Sequence, residues 1–304
     1  MGIGVAWLEE ALRDTALKME RTIGEALSAE PRPGERVRPE RLLAAMRHAT
    51  LNGGKRLRPL LMIECARAFG RQDPGVLVAA AALECLHSYS LVHDDLPAMD
   101  DDDLRRGLPT VHKAYDEATA ILAGDSLLTL AFDLIADPRV HDDPAVRLVL
   151  SRDLARAAGV GGMAGGQMLD LQSEHRTLVE DEIRTLQAMK TGALLRYACE
   201  AGARLGDASD EDIVRLRRYG EVVGLAFQLA DDLLDLEASP EVMGKATGKD
   251  AEAGKATLVS LYGPERTRAI LADLVAEASG LAGELGPVGQ RLADIASFVA
   301  FRSH

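Results

Sequence analysis

Apolar residues recur at helical spacing along almost the whole chain. Leu8, Leu12, Ala16, Met19, Ile23 and Leu27 mark one face of a helix over 5–29. Pro31, Pro33, Gly34 and Pro39 mark a loop. A short helix over 40–51 ends at Asn52-Gly53-Gly54, and another starts after Pro59 and stops near Gly70. The turn Asp73-Pro74-Gly75 leads into a strongly apolar helix from about Val76 to Asp95, which Pro97 stops. An Ala- and Leu-rich helix covers 110–135. A long helical segment runs from Pro144 to about Leu171, and its Gly159, Gly161, Gly162, Gly165 and Gly166 predict close helix packing or a kink. Segments 178–204 and 210–236 are helical, a Gly- and Lys-rich loop spans 238–257, and two or three helices follow. Strand signals are absent: no alternating β-branched run lies between turns. The pattern predicts an all-α chain, a single domain over 1–304, with roughly ten or more helices.

Composition narrows the partners. At 47% hydrophobic residues there is ample material for a core, and a net charge of −13 argues against nucleic acid as the main partner. An anionic substrate therefore needs local basic groups. Cys65, Cys85 and Cys199 lie in apolar contexts with no CxxC, so they read as small core residues in a reducing compartment. Glu9 and Glu10 interrupt the first apolar residues, which excludes a signal peptide. No stretch approaches ~20 uninterrupted apolar residues, so no membrane span is expected, and a soluble, cytoplasmic protein is.

The chemistry concentrates in two aspartate clusters, each ending an apolar segment. The first runs from His93-Asp94-Asp95 through Asp100, Asp101, Asp102 and Asp103 to Arg105-Arg106-Gly107. The second is Phe227-Gln228-Leu229-Ala230-Asp231-Asp232-Leu233-Leu234-Asp235. Crowded carboxylates cost free energy unless a cation neutralises them, and a helix C-terminus, the negative end of its dipole, adds to that cost. Hard oxygen ligands at this density suit Mg²⁺, which commonly shares its shell with substrate phosphates. On the 210–236 helix, Gln228, Asp231 and Asp235 lie within roughly 60° of one another, so two carboxylates can reach the same ion or adjacent ions. One cluster alone would read equally well as a solvated helix end. Two of the same form point to metal.

The anion-binding complement is also present. Gly53-Gly54-Lys55-Arg56-Leu57-Arg58-Pro59 sets three cations beside a glycine pair at a helix start, which makes a diphosphate cradle. Arg105 and Arg106 follow the first cluster, Lys190-Thr191 sits within a helical pattern, and Lys245, Lys249 and Lys255 follow the second cluster. A lone His on an apolar face is ordinarily a satisfied core residue. His87, however, precedes Asp94 by two turns on one face, about 10 Å away by helix rise, which suits a second anion better than the same metal.

These residues resemble the trans-isoprenyl diphosphate synthases. The resemblance covers nearly the whole chain, in order and spacing: Gly53–Pro59, His93–Asp100, Asp102–Gly107, Gly166-Gln167-Met168-Leu169-Asp170-Leu171, Lys190-Thr191, Phe227–Asp235 and Gly244–Lys255. It implies a helical bundle around a central cavity and Mg²⁺, three ions when diphosphate is bound. Asp94, Asp95, Asp100, Asp231 and Asp235 would hold the metal, directly or through water. Arg105, Lys190, Thr191, Gln228, Lys245 and Lys255 would face the allylic diphosphate, and Lys55, Arg58, His87 and Arg106 isopentenyl diphosphate. The catalytic set so implied is the five aspartates with Arg105, Lys190, Thr191 and Gln228. A homodimer is implied too.

Other readings explain less. A terpene cyclase shares the first cluster, but its second motif looks like (N/D)DxxSxxxE, and position 235 is Asp. A non-catalytic partner subunit typically loses Asp motifs, and both are kept here. A purely metal-binding helical protein leaves Lys55, Arg58, Arg105 and Lys190 unexplained. Product length turns on the residues before Asp94. In the family, an aromatic at the fifth position before this cluster looks like the bacterial farnesyl type and a small residue like the geranylgeranyl type. Tyr89 therefore favours a C15 product, with C20 as the alternative. By helix angle, though, it is Ser90 that shares the Asp94 face, with Tyr89 rotated roughly 140° away.

Overall fold

The computed structural model describes residues 3–173, 176, 178–237 and 257–301, so Lys245, Lys249 and Lys255 lie outside the described residues. The described chain is all-α apart from one short hairpin. Its contacts divide it into two compact units.

The first unit comprises Glu9–Ile63 and Arg71–Ser151. It takes in most of α1 (Ile3–Ala26), α2 (Glu40–Leu51), the start of α3 (Leu57–Ala68), α4 (Pro74–Asp94), α5 (Val111–Ala114), α6 (Glu117–Ala136) and the start of α7 (Pro144–Ala158). Helix α4 is its core. Asp73 caps the helix by accepting from the Gly75 amide at 2.8 Å, and Pro74 stands at the first helical position, where its missing N–H costs nothing. Every residue from Val78 to Leu86 is buried, so this helix is covered all round rather than along one stripe. Its window is 72% buried, against 44% for α6. Both helices are long and apolar enough to cross a membrane by length and composition, unlike the expectation from uninterrupted runs, and α4 meets that test as a core helix.

The expected helix over 110–135 is broken. Tyr115 leaves the helical region, and Asp116 starts α6 by accepting from the Thr119 amide at 2.7 Å. Between α4 and α5 lies the hairpin β1 (Leu104–Arg105) and β2 (Leu108–Pro109), where no strand was expected. Arg106 (φ 54°) and Gly107 (φ 77°) form its two-residue turn, the left-handed pair that matches hairpin twist.

The second unit comprises the described residues within Met1–Leu8, Glu64–Gly70 and Arg152–His304. It holds the end of α7, α8 (Met163–Ser173), α9 (Glu180–Gln187), a π-helical turn at Ala188–Gly192, α10 (Ala193–Leu205) and α11 (Asp210–Glu237). After these come α12 (Leu258–Tyr262), α13 (Pro264–Gly283) and α14 (Gln290–Phe301). The segment read as continuous from Pro144 is interrupted between α7 and α8, at the glycines that predicted a kink. Ile213, Leu216, Val223 and Ala230 of α11 are buried, together with Tyr219, whose hydroxyl donates to the Leu292 carbonyl at 2.7 Å.

Candidate active site

In the first unit the end of α4 is wrapped by its own loop. The Asp100 amide donates to the Asp94 carbonyl (2.8 Å) and the Asp102 amide to the Asp95 carbonyl (3.2 Å), which satisfies carbonyls a helix end leaves open. The carboxylates are thereby gathered at one place. Asp94 is half-buried, Asp100 exposed and Asp95 buried. Arg105 on β1 reaches Asp95, its Nε donating to Oδ1 at 2.7 Å and to Oδ2 at 2.9 Å. Burial pushes the Asp95 carboxyl up and Arg105 opposes that; burial alone would lower Arg105, and Asp95 more than restores it. The two close contacts favour the charged pair. Two predicted site residues, one a metal ligand and one a diphosphate cation, are thus each other's partners.

The hairpin turn sends the neighbouring Arg106 elsewhere. Its Nη1 donates to the Gly53 carbonyl at 2.6 Å, and a Cβ at position 54 would lie 2.6 Å from the same nitrogen, so only glycine lets the guanidinium in. Arg58 donates to His87 Nε2 at 3.4 Å. His87 keeps some accessible surface, yet its ring is packed deeply enough that burial, then the charges of Arg58, Arg106, Arg105 and Arg56, hold its pKa well below the usual value. It is neutral and accepts. Arg58, His87 and Arg106 of the predicted homoallylic group are therefore assembled around the Gly53–Pro59 loop, with Lys55 exposed on it.

Arg56, counted among the three cations of the cradle from the sequence, is instead the buried cation of that loop. Its side chain is 0% exposed, pairs with Glu84 of α4 and donates to the Thr50 carbonyl. Its φ of 49° is left-handed, a conformation costing a non-glycine residue about 1–2 kcal/mol. The pair leaves neither charge uncompensated, whereas removing one partner from such a buried pair costs about 3–5 kcal/mol. One signal was visible beforehand: Glu84 is a lone charge in the run Val76–Leu86.

Ser90 turns its hydroxyl onto the His87 carbonyl (2.9 Å), and Tyr89 stands edge-on to His93 with ring centres 5.9 Å apart. Burial, then Asp94, raises the Tyr89 pKa. A cavity of about 930 Å³ in this unit is lined by residues such as Leu43, Met46, Leu130 and Arg38 and by none of the candidate residues. One of about 40 Å³ is lined by Asn52, Ser88, Asp95, Arg105 and Arg106, which brings three of the candidate residues to its wall. Asp101, Asp103 and His112, not predicted as ligands, also place ligand atoms within 4.8 Å of one another, although Asp103 pairs with Lys113 at 2.8 Å.

In the second unit the carboxylates stay on one continuous helix. Asp231 is half-buried and Asp235 exposed. Asp232, absent from the predicted ligands, accepts from Gln228 Nε2 (2.8 Å) and from Gln187 Nε2 (3.1 Å). Burial pushes its carboxyl up to about 6; the two amides oppose this, and Asp231 and Asp235 add to it. Gln187 was not foreseen. Thr191 Oγ1 donates to Gln228 Oε1 at 2.9 Å, so two residues expected at the allylic diphosphate touch. Lys190 binds Asp170 at 2.6 Å, which assigns a partner to the acid of the Gly166–Leu171 motif. The π turn that carries Lys190 and Thr191 packs directly on α8. A Cβ on Gly166 would lie 2.2 Å from the Lys190 nitrogen. Asp231 and Asp235 add to the burial that raises Asp232, and a hard divalent cation relieves such crowding, so the residues present fit Mg²⁺.

Dense carboxylates at helix ends beside guanidinium and ammonium groups, on an all-α chain, define a protein built to hold metal-bound diphosphates. The chain belongs to the polyprenyl synthetase family, whose profile matches residues 39–283. It is similar to the farnesyl diphosphate synthase of Bacillus subtilis, 42% identical over 88% of this chain and 90% of that one. It is also similar to that of Escherichia coli, 45% identical over 78% and 80% respectively. Among solved structures, an FPP/GFPP synthase from Zymomonas mobilis superposes with a TM-score of 0.87 at 41% identity, over 97% of this chain and 99% of that one. The family is Mg²⁺-dependent.

Proposed function

We propose that this chain is a short-chain trans-prenyltransferase that condenses isopentenyl diphosphate with dimethylallyl and geranyl diphosphates to give farnesyl diphosphate. The observation that carries the reading is the Arg58–His87 contact beside Arg106 on Gly53: a cationic group distinct from the carboxylates, which a second diphosphate requires and a cyclase does not. The names of the relatives agree with it.

In this reading Asp94, Asp100, Asp231 and Asp235 hold metal, and Asp95 does so while keeping Arg105 in place. Mg²⁺, three ions with diphosphate bound, supplies neutralisation of the leaving group. Arg105 and Lys190 bind the allylic diphosphate, and Lys245 and Lys255 belong to the same set. Its C–O bond breaks heterolytically, and the diphosphate leaves with the electron pair. The Thr191 hydroxyl and Gln228 carbonyl stabilise the allylic cation as fixed dipoles. Lys55, Arg58, His87 and Arg106 hold isopentenyl diphosphate, whose double bond attacks. The proton lost goes to the released diphosphate, so no side-chain base is needed. The chain 1–304 acts as one catalytic domain, as a cytoplasmic homodimer. Tyr89, with Ser90 beside it, sets the floor that stops growth at C15. Incubation with labelled isopentenyl diphosphate, Mg²⁺ and each allylic substrate, with products resolved by length, tests the proposal. A C15 product is expected; no chain growth would overturn it.

A further inference from the structure

We propose that Arg56 and Glu84 are positioning residues for the homoallylic substrate: their buried ion pair fixes the Gly53–Arg58 loop against α4 so that Lys55 and Arg58 are held ready for its diphosphate. This rests on the function proposed above. Arg56 stands where α3 begins, its carbonyl accepting the Leu60 amide at 3.0 Å. Its backbone has φ 49°, a place where glycine or asparagine is the usual choice. The long side chain is there for another reason. It turns inward, 0% exposed, and bridges Glu84 on α4 and the Thr50 carbonyl at the end of α2. Three elements are tied at one guanidinium.

Lys55 is exposed and Arg58, in the first turn of α3, meets His87. Glu84 and His87 are three residues apart on α4, hence on one face and one turn apart. The same stretch of α4 thus anchors the loop through Glu84 and receives its working arginine through His87. Glu84 also cancels the charge of Arg56, so the cations left to act on a diphosphate are those that can reach it. A loop held this way needs no ordering when substrate binds, and that preorganisation appears in substrate affinity.

The test is the double variant Arg56→Met/Glu84→Leu. Replacing both ions with apolar groups of similar volume preserves folding in comparable cases, whereas single variants leave a buried charge. The double variant is expected to keep its melting temperature and helical content, to retain kcat and the KM for geranyl diphosphate within about twofold, and to raise the KM for isopentenyl diphosphate about tenfold. Arg56→Lys keeps the charge but not the two-way fork, and should raise the same KM by about threefold. Because this variant is conservative, it keeps the test decisive if the double variant does not fold. An unchanged KM for isopentenyl diphosphate in either folded variant overturns the inference, as does an equal rise in both KM values or a loss confined to kcat. If the unaltered enzyme joins no isopentenyl diphosphate to any allylic substrate, the proposed function itself fails, which is a separate result.

Discussion

The two aspartate clusters look alike in sequence and are built differently. The first sits on a helix end followed by a hairpin, and a guanidinium from that hairpin grips its buried carboxylate. The second lies along an uninterrupted helix, where Asp232 accepts from the side-chain amides of Gln228 and Gln187. Burial pushes Asp232 up to about 6, and the amide dipoles oppose this without cancelling its charge. Two copies of one motif can therefore meet the same electrostatic problem by different means, one with a resident cation and one with dipoles that leave the charge for an incoming ion.

That contrast can be broken most directly at the ligands. Asp94→Ala and Asp231→Ala should each lower kcat by about 10³-fold or more with helical content unchanged. If either cluster tolerates the loss in a steady-state assay at saturating Mg²⁺, the two are not equivalent partners in catalysis. A smaller effect separates the cationic groups. Arg58→Ala should raise the KM for isopentenyl diphosphate about tenfold or more, and Lys190→Ala should do the same for the allylic substrate. Crossed effects would mean that the sites are assigned the wrong way round.

His87 gives the first unit its own pH signature. Its folded pKa lies well below that of the unfolded chain, near 6.5, so the unfolded state binds more protons in between. Stability from this group is complete above about 6.5 and falls as pH drops, by at most about 1.4 kcal/mol per pH unit. His87→Gln should flatten the denaturation midpoint between about pH 7 and 5. An unchanged slope would show that the ring titrates alike in the folded and unfolded chain, against the burial of its ring. Last comes an effect on product rather than rate: Tyr89→Ala should shift products towards C20 at near-normal turnover. The same C15 spectrum would remove Tyr89 from length control.

Much of this was legible in the sequence because it is local. Helical periodicity located α2, α4 and α11 to within a residue or two. The motifs named the residues that the hairpin and loop then bring together, such as Arg58 with His87 and Thr191 with Gln228. What escaped depends on neighbours distant in sequence. Nothing near Lys190 predicts that Asp170 will bind it, and nothing near Arg56 predicts Glu84. The break at Tyr115 sits beside Asp116, whose side chain caps α6, a local signal that periodicity does not carry, and the 188–192 turn packs on α8 at Gly166. The hairpin was missed because its strands are two residues long, too short for any alternation to register.

The glycine pair at the start of the substrate loop has a consequence for how this sequence can drift. Both residues have left-handed backbones, at φ 77° and 115°. Around Gly53 there is open space, so a mutation there strains the chain and nothing else. At Gly54 the space is taken by a guanidinium from the far hairpin. A side chain arriving at 54 would displace the Arg106 guanidinium, the far end of a long side chain, and strain the backbone at φ 115° as well. Substitution at 54 is thus felt at the hairpin, whereas substitution at 53 stays within its own backbone.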